Sequence, residues 1–172
     1  MSGVYLDCDK IKNSKSNASI KNASVEALSR IGFDRWVFGT ESDFSFFGTV
    51  TLSSGGTWKW LLTYMGKCYQ HIDPVLIHCS ESLEPLYWDV VEGKGVSEPR
   101  VREFWEDVCA NGFGSGLSVP LRSPGGLRGL ISVVSDQSLA ESRDVFCQHL
   151  NDVRSIGEAM HCAMERIILR KI

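Results

Sequence analysis

Residues 115–122 (SGLSVPLR) and 127–135 (LRGLISVVS) flank Ser123-Pro124-Gly125-Gly126, and this arrangement limits the fold more than any other feature of the chain. Two such runs around a Pro-Gly-Gly break are a strong hairpin signal. Within the second run, Leu130 to Val134 is apolar on both alternating faces except at Ser132. A strand of that kind is covered on both sides, which calls for helices above and below the sheet. Phe33–Gly39 and Phe44–Leu52, rich in aromatic and β-branched residues, read as a further pair of strands. A short first helix and the linker Asn13–Asn17 lead to a helix at about 20–31, with Ile20, Val25, Leu28 and Ile31 as its apolar stripe. A helix over 57–69 would carry Trp60, Tyr64 and Cys68 on one face. Asp73-Pro74 fits an N-cap followed by Pro at the first helical position. Ser97 can cap a helix running to about Ala110, with Gly112 ending it. A last helix over 140–170 keeps a 3–4 spacing through Phe146, Leu150, Val153, Ile156, Met160, Met164 and Ile167, with Val145 beside them. The expected architecture is an α-β-α sandwich of the α/β (α+β) class. Its antiparallel sheet lies centrally, with a ligand pocket between the sheet and one helical layer.

Bulk properties then exclude several functions. At 172 residues the chain suits one domain, and it buries roughly 70% of its unfolded surface. No run of about 18 apolar residues occurs, and the opening MSGVYLDCDKIK has no export signal, so a cytoplasmic protein without membrane contact is expected. With 18 Lys+Arg against 21 Asp+Glu, the net charge of −3 gives this chain alone no basic cluster for phosphates. The six cysteines form no C-x-x-C pair and match neither a disulfide framework nor a zinc site. They read as reduced and mostly buried small apolar residues, with no metal and no cofactor implied. Gly112, Gly114 and Gly116 complete neither a G-x-S-x-G elbow nor G-x-G-x-x-G, and Gly125-Gly126 lacks the Lys of a phosphate loop. Catalysis is not expected.

One stretch stands apart. From Trp60 to Trp88, aromatic and polar residues are set into an apolar background. Trp60 and Tyr64 each carry a polar tip that needs a partner when buried. Asp73, between Ile72 and Pro74, must cap a helix, pair with a charge, or accept from a ligand. Chemistry alone allows two readings: core aromatics beside a simple cap, or the polar groups of a binding site.

These residues resemble the signal-binding domain of LuxR-type quorum-sensing transcription regulators, closest to its LasR-like members. The family's W-x3-Y is present as Trp60 and Tyr64, its D-P as Asp73 and Pro74, and its later Trp as Trp88. The pattern F-W-E-D…G-x-x-x-G-x-x-x-P follows in order from Phe104 to Pro120 and includes the family's Gly at Gly116. The resemblance implies an N-acyl-homoserine lactone as ligand. Trp60 would donate to the lactone carbonyl, and Asp73 would accept from the ligand amide. Tyr64 would donate to the acyl carbonyl, with Ser132 as a second donor. Trp88, Phe104 and Ser118 would wall the lactone end, and Val37, Leu61, Val75 and Leu76 the acyl chain.

Two departures bear on the ligand. Where family members often show N-Y-P, this chain has Gly55, Gly56 and Thr57, so a phenol is missing. Position 75, a Thr in the LasR-like pattern, is Val75. The acyl-carbonyl end is therefore poorer in donors, and unsubstituted acyl chains are expected to bind at least as well as 3-oxo ones. The whole of 1–172 is read as one autoinducer-binding sensor domain, with the family's C-terminal helix-turn-helix absent from it. DNA would be reached only through that missing domain. Homodimer contact is expected on the last helix, whose apolar surface looks larger than one face needs. A sensor for a different small molecule and, least favoured, a lactone- or amide-processing enzyme are the alternatives.

Overall fold

The computed structural model describes residues 3–42 and 45–170. Two helices, α1 (Gly3–Lys12) and α2 (Asn17–Arg30), lead into β1 (Trp36–Ser42) and β2 (Ser45–Ser54). Ser16 caps α2 through a reciprocal bond with Ser19, so the helix begins at Asn17, earlier than its apolar stripe alone indicates. Gly32, at φ 90, turns the chain out of it. Phe33 stays outside β1 because its ring stacks on Phe146, with centroids 5.9 Å apart. Of the expected second strand, Phe44 lies outside the described residues.

The next helix, α3 (Trp58–Gly66), is shorter than expected. Cys68 is in the left-handed region at φ 55 and exposed, so it does not share a face with Trp60 and Tyr64. The break lets Tyr69, in a 3-10 turn over Tyr69–His71, pack fully buried against the Trp60 ring. Helix α4 (Pro74–Glu81) starts on Asp73 as cap with Pro at its first position. Strand β3 (Leu86–Asp89) and the one-turn helix α5 (Val90–Lys94) follow. Helix α6 (Pro99–Ala110) is capped by Glu98, not Ser97, because the Glu98 carboxylate reaches the amides of Arg100 and Val101. Strands β4 (Ser115–Arg122) and β5 (Arg128–Ser135) form the expected hairpin, and α7 (Leu139–Leu169) closes the fold.

The sheet order is β2-β1-β5-β4-β3, with every described neighbour antiparallel. Its period-2 alternation divides the interior in two. Trp36, Phe38, Leu117, Val119, Ile131 and Val133 pack on one face against α1, α2 and α7. Val37, Leu130, Ser132 and Val134 point to the other face, beneath α3, α4 and α6. Gly157 lets α7 approach β5, since a Cβ there would sit 2.7 Å from the Ile131 side chain. The apolar row of α7 is largely spent inside its own chain, because Phe146, Val153, Ile156, Met160 and Met164 are all buried. Val145 and Leu169, at opposite ends of the helix, are exposed. The surplus apolar face expected there is thus absent, and α7 gives no argument for a dimer.

The cysteines also differ from expectation. Cys8 and Cys79 are buried, but Cys68, Cys109, Cys147 and Cys162 are exposed, and all are free thiols. Among the described residues, no cluster of His, Cys, Asp and Glu could hold a metal ion, and no helix is long and apolar enough to cross a membrane.

Candidate functional site

A cavity of about 90 Å³ lies between the sheet and the α3–α6 layer. Helix α3 supplies Trp60, Leu61 and Tyr64, and the α4 cap and first turn supply Asp73, Val75 and Leu76. Val37, Trp88, Phe104 and Ser132 complete the candidate residues that line it. Ser118 is the one that does not; it lies fully buried behind the lining. Trp105, Val108, Phe113, Leu130 and Val134 line it too and were missed. The helical spacing of 104, 105 and 108 on α6 was the signal for two of them. Such a void is smaller than the roughly 150 Å³ that holds a benzene ring. A ligand of more than a few heavy atoms must therefore move its walls.

The roof is aromatic. Trp60 meets Tyr64 and Phe104 edge-on, each with ring centroids 5.6 Å away, and Phe113 at 6.4 Å. Its indole N–H, which can only donate, has no hydrogen bond to a described residue. At one end the Arg35 guanidinium covers the Phe113 ring at 4.6 Å and donates to the Gly112 carbonyl. Outside the roof, Lys67 bridges Glu103 and Asp107, and Asp107 also accepts from the Tyr69 hydroxyl.

The polar groups inside are few and already oriented. Asp73 Oδ1 accepts from the backbone amides of Val75 and Leu76, at 2.8 and 3.3 Å. Asp73 Oδ2 accepts from the Tyr64 hydroxyl at 2.8 Å. Tyr64 therefore has its single hydrogen committed to Asp73 and does not offer it to the cavity, contrary to its expected role as donor to an acyl carbonyl. Burial pushes the Asp73 carboxyl up to about 6, despite the opposing bonds from Tyr64, Leu76 and Val75. Burial first, and then the Asp73 charge, raises the Tyr64 phenol well above its ordinary value. Opposite, the Trp88 indole donates to Ser118 Oγ at 3.0 Å, and Ser118 Oγ lies 2.7 Å from Ser132 Oγ. Gly116 makes room for this indole, because a Cβ there would stand 2.2 Å from its ring.

An apolar cavity with a few fixed polar groups is the usual form of a small-molecule site. The profile of the autoinducer binding domain matches residues 16–164 of the chain. The chain belongs to that family. Its relatives include the transcriptional activator AnoR of Acinetobacter nosocomialis, 25% identical over 81% of this chain and 58% of that protein. The quorum-sensing regulator RhlR of Pseudomonas aeruginosa is 28% identical over 78% of this chain and 53% of that protein. The domain thus spans little more than half the length of these two relatives. In structure it resembles CepR2 of Burkholderia cenocepacia, an N-acylhomoserine-lactone-dependent LuxR-family factor, at a TM-score of 0.77, 20% identity and 96% coverage of both chains. It also resembles SdiA of Escherichia coli, at a TM-score of 0.64, 16% identity and coverage of 96% of this chain and 69% of that one. SdiA has also been solved with octanoyl-rac-glycerol; against that structure the TM-score is 0.63 at 17% identity, covering 89% of this chain and 62% of that one. This autoinducer-binding domain is of the LuxR type, and the relatives named are transcriptional regulators.

Proposed function

We propose that the domain binds an N-acyl-homoserine lactone in this cavity and does no chemistry on it. The observation that carries the reading is Asp73. Its carboxylate is buried, pinned by Tyr64 and the start of α4, and placed at an apolar cavity where a ligand amide N–H could complete its shell. Trp60 would donate to the lactone carbonyl, and Ser132 takes over the acyl carbonyl from Tyr64. Trp88 and Phe104 enclose the lactone end, and Val37, Leu61, Val75 and Leu76 the chain. Ser118 contributes from behind. No cofactor is needed for such binding. Control of transcription, pairing of two copies and contact with DNA through a further domain belong to this proposal by analogy with the longer activators.

A second reading, a fatty-acyl ester, is favoured by the octanoyl-glycerol complex of SdiA. In that case glycerol hydroxyls in place of an amide would donate to Asp73. The test is mass spectrometry of the denatured protein after expression with a mixture of acyl-homoserine lactones. Intact lactone supports the first reading, and a foreign acyl ester the second. A ring-opened product in excess of that formed in a protein-free control would support a processing enzyme.

A further inference from the structure

The hydrogen-bond chain in the cavity wall has a direction, and the direction follows from pairing each buried hydrogen. The Trp88 indole nitrogen carries a hydrogen and no lone pair to accept with, so Ser118 Oγ is the acceptor in that bond. The ring lies directly against Gly116 on β4, where any Cβ would overlap it. Ser118 is fully buried, and its own hydrogen has one acceptor within reach among the described residues, Ser132 Oγ. The two serines are directly paired across β4 and β5, so both side chains leave the same face of the sheet. Were Ser132 to donate to Ser118 instead, the Ser118 hydrogen would be left unpaired in a dry interior. Ser118 therefore donates to Ser132. The Ser132 hydrogen is then the last in the series, and Ser132 lines the cavity, as Trp88 does.

We infer that Ser118 is a positioning residue: bonded to the Trp88 indole, it turns the Ser132 hydroxyl to present a hydrogen to the ligand and so selects an occupant with a carbonyl acceptor at that point. The inference rests on the cavity being the ligand site, as proposed above. It also accounts for Tyr64, whose hydrogen goes to Asp73: the sheet wall supplies the donor that Tyr64 does not. A ligand with no acceptor beside Ser132 would strand that hydrogen, so the device discriminates by chemistry and not by size.

The test is difference infrared spectroscopy of the full chain with a lactone labelled with carbon-13 at its acyl carbonyl. The expected result is a carbonyl band at lower frequency than in an apolar solvent, raised in Ser132→Ala. The band should also be raised in Ser118→Ala at full ligand occupancy and restored in Ser118→Thr, which keeps the hydroxyl. Ser118→Val serves if Ser118→Ala fails to fold. It fills the space with a branched side chain that suits a strand and removes the hydroxyl, so the band should again rise. A band that stays at the wild-type frequency in both Ser118→Ala and Ser118→Val, while Ser132→Ala shifts it, overturns the positioning role and leaves the lactone reading standing. If the wild-type chain shows no saturable labelled band, the lactone reading falls and the inference falls with it.

Discussion

Asp73 serves two ends at once: it caps α4 through Oδ1 and holds Tyr64 through Oδ2. Its two tasks are separable by substitution. Asn is also a good cap, and its amide can donate to the Tyr64 oxygen, so Asp73→Asn should leave the unliganded fold near wild-type stability. It should weaken lactone binding by ~1.5–3 kcal/mol, the worth of a hydrogen bond to a charged group. Calorimetric titration checks this, and unchanged affinity would reduce Asp73 to a cap. The carboxyl, ordinarily 3.8, is raised to about 6 in the fold. The native state therefore holds its proton more tightly than the unfolded chain. This residue's contribution to stability should fall as pH rises from about 4 to about 6 and then level off, a cost on the order of 3 kcal/mol. Lactone affinity, which needs the anion as acceptor, should run the opposite way and improve through the same window. The difference between wild-type and Asp73→Asn melting curves across pH 4–8, with and without lactone, would show the crossing trends free of the other titrating groups, and parallel trends would contradict them. Trp60, Asp73 and Ser132 were legible as polar groups in apolar surroundings, but the direction of each hydrogen bond was not. Gly56 shows the limit well. Sequence marked it only as a lost phenol, yet it sits at φ 82 in the turn from β2 to α3, where a tyrosine would be strained.

Long, periodic elements were visible in the sequence, and short ones were not. The 115–122 and 127–135 strands and the final helix came from unbroken patterning that no local choice contradicts. Strand β3 escaped notice because four residues give no usable period, and its Tyr87 and Trp88 point into different cores. The overlong reading of α3 failed for a tertiary reason: burying Tyr69 is worth breaking the helix at Gly66. Those short pieces nevertheless set the site, since β3 carries Trp88 and lies in register with Gly116 on β4. Gly116→Ala should push the indole off the strand and destabilise the domain by about 1–3 kcal/mol, the range for overpacking a filled interior. The denaturation midpoint measures it. An unchanged midpoint would mean that the β3–β4 contact is looser than its geometry indicates.

A ligand that fills an apolar void adds its binding energy to the folding of the whole domain. At about 100 times its dissociation constant it contributes ~2.7 kcal/mol, which for a domain of this size is roughly 5–10 °C in Tm. Coincident melting curves with every lactone tested would count against the binding proposal. The fold class was legible because one strand had to be covered on both faces, whereas the size of the cavity depends on how the α3–α6 side chains meet and no periodicity encodes that. The sheet also has a consequence for how an occupant is felt. It is a shared wall with separate tenants: α3, α4 and α6 lie on the cavity side, while α1, α2 and α7 pack on the other. Backbone amides that exchange with deuterated solvent by local opening, and not by unfolding of the whole domain, should therefore respond independently on the two sides. Among these, lactone should slow uptake in α3 and in the first turn of α4 and leave α7 nearly unaltered. Equal slowing of the locally opening amides along α7 would mean that the wall conducts. In that case the long helix, whose apolar row is spent internally, would itself convey occupancy to whatever the domain regulates.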